Sequence, residues 1–312
     1  MEALSTERFG FFRVASLSGD PRVASVAVLD FGGGRLAETV DGRAPPLPRR
    51  EKWVINLSTQ FGCPVGCPCC DAGGDFRGNL SMDEILAQVR WVRARHPRLA
   101  DRCKKLKVHF ARMGEPSLND AVPRAAAALP ELLPSGGLHC CVASVAPRGR
   151  ERWFADLLAV KRRHFPGRFQ LQFSIQSTDA ATRRWFIPVP HLDLSELARL
   201  GEAFVEAGDR KVGLNFALAE GSPFDPRLIA ERFDPARFLV KLTPLNPTAE
   251  SVRHHLASLL RTPRQREIEP AARLLAREGF EVIWSVGDGR EDRIGSNCGQ
   301  AVRRLRPWAV LA

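Results

Sequence analysis

From about residue 52 to residue 285, short apolar and β-branched runs alternate with longer amphipathic ones, and this rhythm sets the expected architecture. "WVINLST", "KLKVHFA", "LHCCVAS", "RFQLQFSI", "KVGLNFAL", "RFLVKLTPL" and "FEVIWSV" read as strands. Between them, "MDEILAQVRWVRARH", "DAVPRAAAALPEL", "RERWFADLLAVKRRH", "LSELARLGEAFVEAG" and "PRQREIEPAARLLAREG" read as helices. Strand and helix in alternation predict βα units and a parallel sheet; six or seven units predict an α/β fold of the partial parallel (β/α)6-type barrel. The first 50 residues break the rhythm. "RVASVAVLDF" and "RLAETV", joined through "GGG", predict a β-hairpin, and "DGRAPPLPRR" a linker. The expected organisation is a short N-terminal β appendage with its linker over 1–50 and a barrel over 51–312.

Composition narrows the class without naming a reaction. The chain has 312 residues, 44% hydrophobic and 26% charged, as in an ordinary globular protein. No run approaches the ~18 apolar residues of a membrane span, and the N-terminus has no secretory pattern, so a cytoplasmic protein without a membrane partner is expected. The net charge of +11 admits a nucleic-acid partner. Its arginines, however, are scattered through helical stretches rather than gathered in one tract.

The unusual residues follow the strands. The cysteine cluster "STQFGCPVGCPCCDAGG" comes after the first barrel strand, then "RMGEPS", "SVAPRG", "SIQSTD", "AEGSPFD" and "TPLNP" after the next five. Loops at the carboxyl ends of barrel strands build active sites, so these motifs are expected to share one rim. Cys63, Cys67 and Cys70 have the spacing C-x3-C-x2-C, with Cys69 inserted. Thiols this close on a Gly/Pro-rich loop suit a polynuclear iron–sulfur centre; a structural zinc site would prefer four ligands in two separated pairs.

This spacing, after the first strand of a partial barrel, resembles the signature of the radical S-adenosylmethionine (SAM) superfamily. There three cysteines hold a [4Fe–4S] cluster, SAM chelates the fourth iron, and reductive cleavage of SAM yields a 5′-deoxyadenosyl radical. Cys69 stands where that superfamily usually has an aromatic residue, which makes it a neighbour rather than a ligand. The wider set "STQFGCPVGCPCCDAGG…RGNLSMDEILAQV", "RMGEPSLN", "VASVAPRG", "FSIQSTDAATRRWFIPV", "LTPLNP" and "IGSNCGQ" is similar, in order, to the RlmN/Cfr-type RNA adenine methyltransferases over roughly residues 20–305. The resemblance implies that Gly114 and Glu115 hold the SAM amino group. It places Ser174 and Gln176 at the SAM ribose, with Gln176 replacing the family's usual His, and Asn246 at SAM or the reacting centre. Cys298 would carry a methyl group and deliver it to an sp2 carbon. Each of these residues also has an ordinary structural reading as a turn or loop residue or an inert thiol.

Two departures from the family pattern bear on substrate. The resolving cysteine expected seven residues before Cys63 is Asn56, and the family's helical accessory region has no counterpart ahead of the barrel. Cys141, near the end of the third barrel strand, is the first candidate for a substitute thiol, and Cys69 the next. The favoured expectation is a radical SAM methyltransferase acting on a small molecule or peptide, served by an electron donor such as flavodoxin or ferredoxin. RNA remains possible as the substrate. A non-methylating enzyme in which Cys298 donates hydrogen, and a zinc-stabilised RNA-binding module, also stay open.

Overall fold

Six of the seven residues of "ASVAVLD" are buried, the mark of a strand covered on both faces. This strand lies at the heart of the N-terminal segment. In a computed structural model of the chain, which describes residues 8–43, 46–287, 290, 294 and 298–305, two compact units emerge. Residues 1–66, 70–140 and 288–312 form the first, and 67–69 with 141–287 the second. Residues 44–45 of the expected linker and 295–297 of the "GSNC" motif lie outside the described residues.

In the first unit, strands β1 (Arg8–Phe9), β2 (Phe12–Asp20), β3 (Ala24–Asp30), β4 (Leu36–Arg43) and β5 (Trp53–Leu57) pair antiparallel, each with the next. The expected hairpin is therefore the β3–β4 half of a longer meander, and β4 continues directly onto the first barrel strand. The pairing then turns parallel: β5 aligns with β6 (Leu106–Phe110), Asn56 opposite His109. Between them runs α1 (Met82–Arg95), started by a capping box in which Ser81 and Glu84 satisfy each other's backbone amides. Helix α2 (Ala121–Leu132) follows β6 and leads to β7 (Leu138–Ser144).

The second unit carries α3 (Glu151–His164), β8 (Phe169–Ser174), α4 (Ala180–Phe186), α5 (Leu194–Glu202), β9 (Val212–Leu218), α6 (Pro226–Arg232) and β10 (Phe238–Pro244). Helices α7 (Ala249–Arg253) and α8 (Glu269–Arg277) and strand β11 (Glu281–Trp284) complete it. Strands β8, β9, β10 and β11 pair parallel in chain order. This is the expected α/β alternation, with all seven expected barrel strands present. A final helix, α9 (Gln300–Leu305), belongs to the first unit and packs on β3 and β4. No helix among the described residues is long and apolar enough to cross a membrane.

Candidate active site

In the first unit the loop after β5 folds back on itself. Cys63 bridges to Gly73, and a side chain on Gly73 would press on Gly66. Its entrance is strapped to the loop after β6: the amides of Thr59 and Gln60 both donate to the Met113 carbonyl, at 2.8 and 3.2 Å. Gly114 has a φ of +103°, and a Cβ there would come within 2.7 Å of the Gln60 and Thr59 side chains, so only glycine allows this approach. The Glu115 amide donates to Gln60 Oε1 at 2.8 Å. Glu115 Oε1 accepts from the Ser117 amide and hydroxyl, at 3.0 and 2.7 Å, capping the short 3-10 turn Pro116–Leu118. Asn119 donates to the carbonyls of Thr59 and Leu80. The structure thus brings the cluster loop and the Gly114–Glu115 loop together.

Cys298 joins them. Cys63, Cys70 and Cys298 pack on one hydrophobic cluster made by Val26, Val28, Val40, Ala72 and Met113. The Cys298 proton has two acceptors in reach, the Arg112 carbonyl at 2.6 Å and the Cys70 sulfur. Donation to Cys70, reinforced by burial, holds the Cys298 thiol well above its ordinary pKa and draws Cys70 below its own. Burial, with Cys70 alongside, pushes Cys63 up to about 12.

A buried ion pair that sequence reasoning missed anchors this arrangement. Glu38 on β4 is fully enclosed and meets the Arg112 guanidinium at 2.5 Å. The same carboxylate accepts from the amides of Gly299 and Val302, at 3.0 and 2.8 Å, and so caps α9 directly behind Cys298. Arg303 of α9 reaches Asp71 at 3.2 Å. The available signal was a glutamate inside the otherwise buried strand "LAETVDGR".

The second unit holds the remaining candidates. Ser174 ends β8 in register with Asn215 of β9. Gln176 adopts a φ of +68° and accepts the Ala217 amide through Oε1 at 3.1 Å. Asn246 lies in the loop after β10, where its carbonyl accepts from Thr248 and Ser251. The Thr248 hydroxyl donates to the Cys69 carbonyl at 3.0 Å, which ties the inserted cysteine to that loop. Cys67 falls within this unit, and Cys141 is 1% exposed on β7.

Among the described residues, no three His, Cys, Asp or Glu side chains converge as a single-ion site would require. The donor chemistry fits a cluster instead: three thiols on one loop, with Cys63 and Cys70 packed against an apolar cluster.

No protein-family model matches the chain. It is similar to a "Probable dual-specificity RNA methyltransferase RlmN" of Gemmatimonas aurantiaca, 26% identical over 94% of this chain and 80% of that one. The protein of the same name from Synechocystis sp. is 28% identical over 88% and 72%. Among solved structures, a radical SAM methyltransferase from Sphaerobacter thermophilus superposes with a TM-score of 0.71 at 20% identity, covering 93% of this chain and 81% of that one, and so shares its fold. Motif order, fold and relatives together support a radical SAM, RlmN/Cfr-like relationship for the chain.

Proposed function

We propose that this chain is a radical SAM methyltransferase that uses Cys298 as its methyl carrier and acts on an sp2 carbon of RNA. The observation that carries the reading is the packing of Cys298 against Cys70, in one buried cluster with Cys63. Cys63, Cys67 and Cys70 would hold a [4Fe–4S] cluster, which together with SAM supplies one-electron chemistry and hydrogen abstraction. Glu115 would pair with the SAM ammonium beside the tight turn at Gly114. Ser174 and Gln176 would meet the ribose, and Asn246 would contact SAM from its loop. Cys298 would release its proton as its sulfur takes the methyl group from the sulfonium of SAM, with S-adenosylhomocysteine as the leaving group, and the Glu38–Arg112 pair would keep that sulfur in place. The net charge of +11 and the names of the relatives support RNA as acceptor.

A second reading, with a small-molecule or peptide acceptor, is favoured by one residue. Asn56 is half-buried on β5 and has no thiol with which to release a covalent product. Under the RNA reading the second thiol is assigned to Cys141. An electron donor of the flavodoxin or ferredoxin class belongs to both readings.

The test is anaerobic reconstitution with iron, sulfide, SAM and a reductant, followed by mass spectrometry of the Cys298 peptide and of digested RNA. A methyl group on Cys298, absent in Cys298→Ala, together with methylated ribosomal or transfer RNA fragments is the expected result. Methylated Cys298 with no RNA product moves the acceptor to the second reading. Turnover retained by Cys141→Ser removes Cys141 from the proposal. Unmethylated Cys298 in a cluster-loaded protein defeats the carrier role.

A further inference from the structure

In the second unit, an open cleft of about 560 Å³ has Arg148, Arg183, Arg184, His191 and one carboxylate, Asp193, in its lining. Its walls are pinned to each other. The Leu192 amide donates to the Ala146 carbonyl at 3.0 Å, the Arg148 amide to the Pro190 carbonyl at 2.9 Å, and Pro147 bridges to His191. Ala146 is held at a φ of +53°, a conformation a non-glycine residue adopts only where its surroundings impose it.

Arg183 is the unusual member. It is 4% exposed, and Nη1 donates to the Leu192 carbonyl at 2.6 Å, but Nε and Nη2 are buried without a hydrogen-bond partner among the described residues. Burial pushes this guanidinium down to about 10. A desolvated cation with two unmet donors is costly, and an anion in the cleft would offset that cost. The nearby carboxylates are already engaged: Asp193 caps α5 by accepting the Glu196 amide at 2.8 Å, and Glu196 forms a two-pronged pair with Arg148, at 2.8 and 2.6 Å.

The next two residues of the same helix add a different chemistry. Arg184 is exposed, and Trp185 is 47% exposed, steadied edge-on by Phe186 and His254. A large aromatic surface beside a cationic cleft is what a single strand of nucleic acid uses, its phosphate taken by arginine and its base stacked on the ring.

We infer that this cleft and Trp185 form a binding site for single-stranded RNA, one phosphodiester lying against Arg183 and Arg184 and an adjacent base on Trp185. The inference rests on the RNA-acceptor reading and gives it a docking element. The scattered arginines of the sequence hid it, because Arg148 and Arg183 meet only through the pairing of residues 146–148 with 190–192.

The experiment titrates a fluorescein-labelled single-stranded RNA of about 12 nucleotides into the cluster-loaded protein and reads anisotropy over a range of salt. Trp185→Ala is expected to weaken binding about tenfold with an unchanged salt slope. Arg184→Ala is expected to weaken it and to reduce the slope of log affinity against log salt by about 0.7–1. Both side chains are exposed, and unchanged melting temperatures would establish that the variants fold. RNA binding that neither variant alters overturns the site and leaves the RNA-acceptor reading standing. If Cys298 becomes methylated but no RNA binds, that reading and the inference fall together. Displacement of the RNA by equimolar inorganic phosphate would mark a free-phosphate site and would also overturn the inference.

Discussion

At the scale of single residues, Gly299 shows how little space separates Cys298 from the cluster loop. Its φ is +85°, and a Cβ there would fall on the Ala72 amide nitrogen and the Asp71 carbonyl. Gly299→Ala therefore carries two penalties. A left-handed backbone costs an L-residue about 1–2 kcal/mol, and contact with backbone atoms cannot be relieved by a side-chain rotation. The expected outcome is that the Cys298 segment lifts from Cys70: a lower melting temperature, with faster alkylation of Cys298 by iodoacetamide in the cluster-free protein. Unchanged alkylation would mean that the two loops are not in the contact described. Gly114 follows the same logic on the other side of the loop, where its positive φ lets the Glu115 amide reach Gln60.

At the scale of elements, the β3–β4 pair is the seat of the Cys298 loop, and Glu38 is its fastening. Glu38→Gln leaves the Arg112 guanidinium buried without its counter-charge while preserving shape. Breaking a buried pair in this way costs roughly 3–5 kcal/mol. The expected result is a large loss of stability together with a Cys298 that alkylates faster; simultaneous replacement of Glu38 by Gln and Arg112 by Met should recover part of the stability. If Glu38→Gln melts with the wild type, the pair is not structural. The same elements show what the sequence made legible. The seven barrel strands and the helices α1, α2 and α3 could be read because their patterns are periodic over enough residues. Helices α4, α6 and α7 could not: they span seven, seven and five residues and begin from single side-chain caps, at Asp179, Asp225 and Thr248. The cysteine loop and the Gly114–Glu115 turn are local motifs and so could be read directly. Glu38 could not be tied to the site, because its partner at Gly299 lies 261 residues away and only the packing of α9 on β3 and β4 joins them.

For the whole molecule, the balance of charge predicts where stability fails. The chain carries +11 at neutral pH, and its seven histidines add further positive charge as pH falls. Several carboxylates are held below their ordinary values. Glu206 is lowered by hydrogen bonds from Lys161 and Arg162, and Glu196 by Arg148. At Asp209 burial works in the opposite direction but is overcome by Lys161 and the amides of Gly167 and Glu206. A carboxyl with a depressed folded pKa binds fewer protons folded than unfolded, so its contribution is present above the unfolded value, about 4. That contribution is lost as pH falls through the folded one. His191, lowered by burial and by Arg183 and Arg148, has the same sign at a higher pH: the unfolded chain takes up its proton first, so acidification below about 6.5 begins to destabilise the fold. Stability should therefore decline gently below about pH 6.5 and steeply below about pH 4, with self-repulsion of the growing positive charge adding to both. Urea unfolding across this range, at low salt and at about 0.5 M salt, separates the contributions. Added salt should recover the share due to self-repulsion, whereas His191→Gln should flatten the shallow upper limb and leave the steep one. A shallow limb that persists in His191→Gln would place its origin in another titrating group.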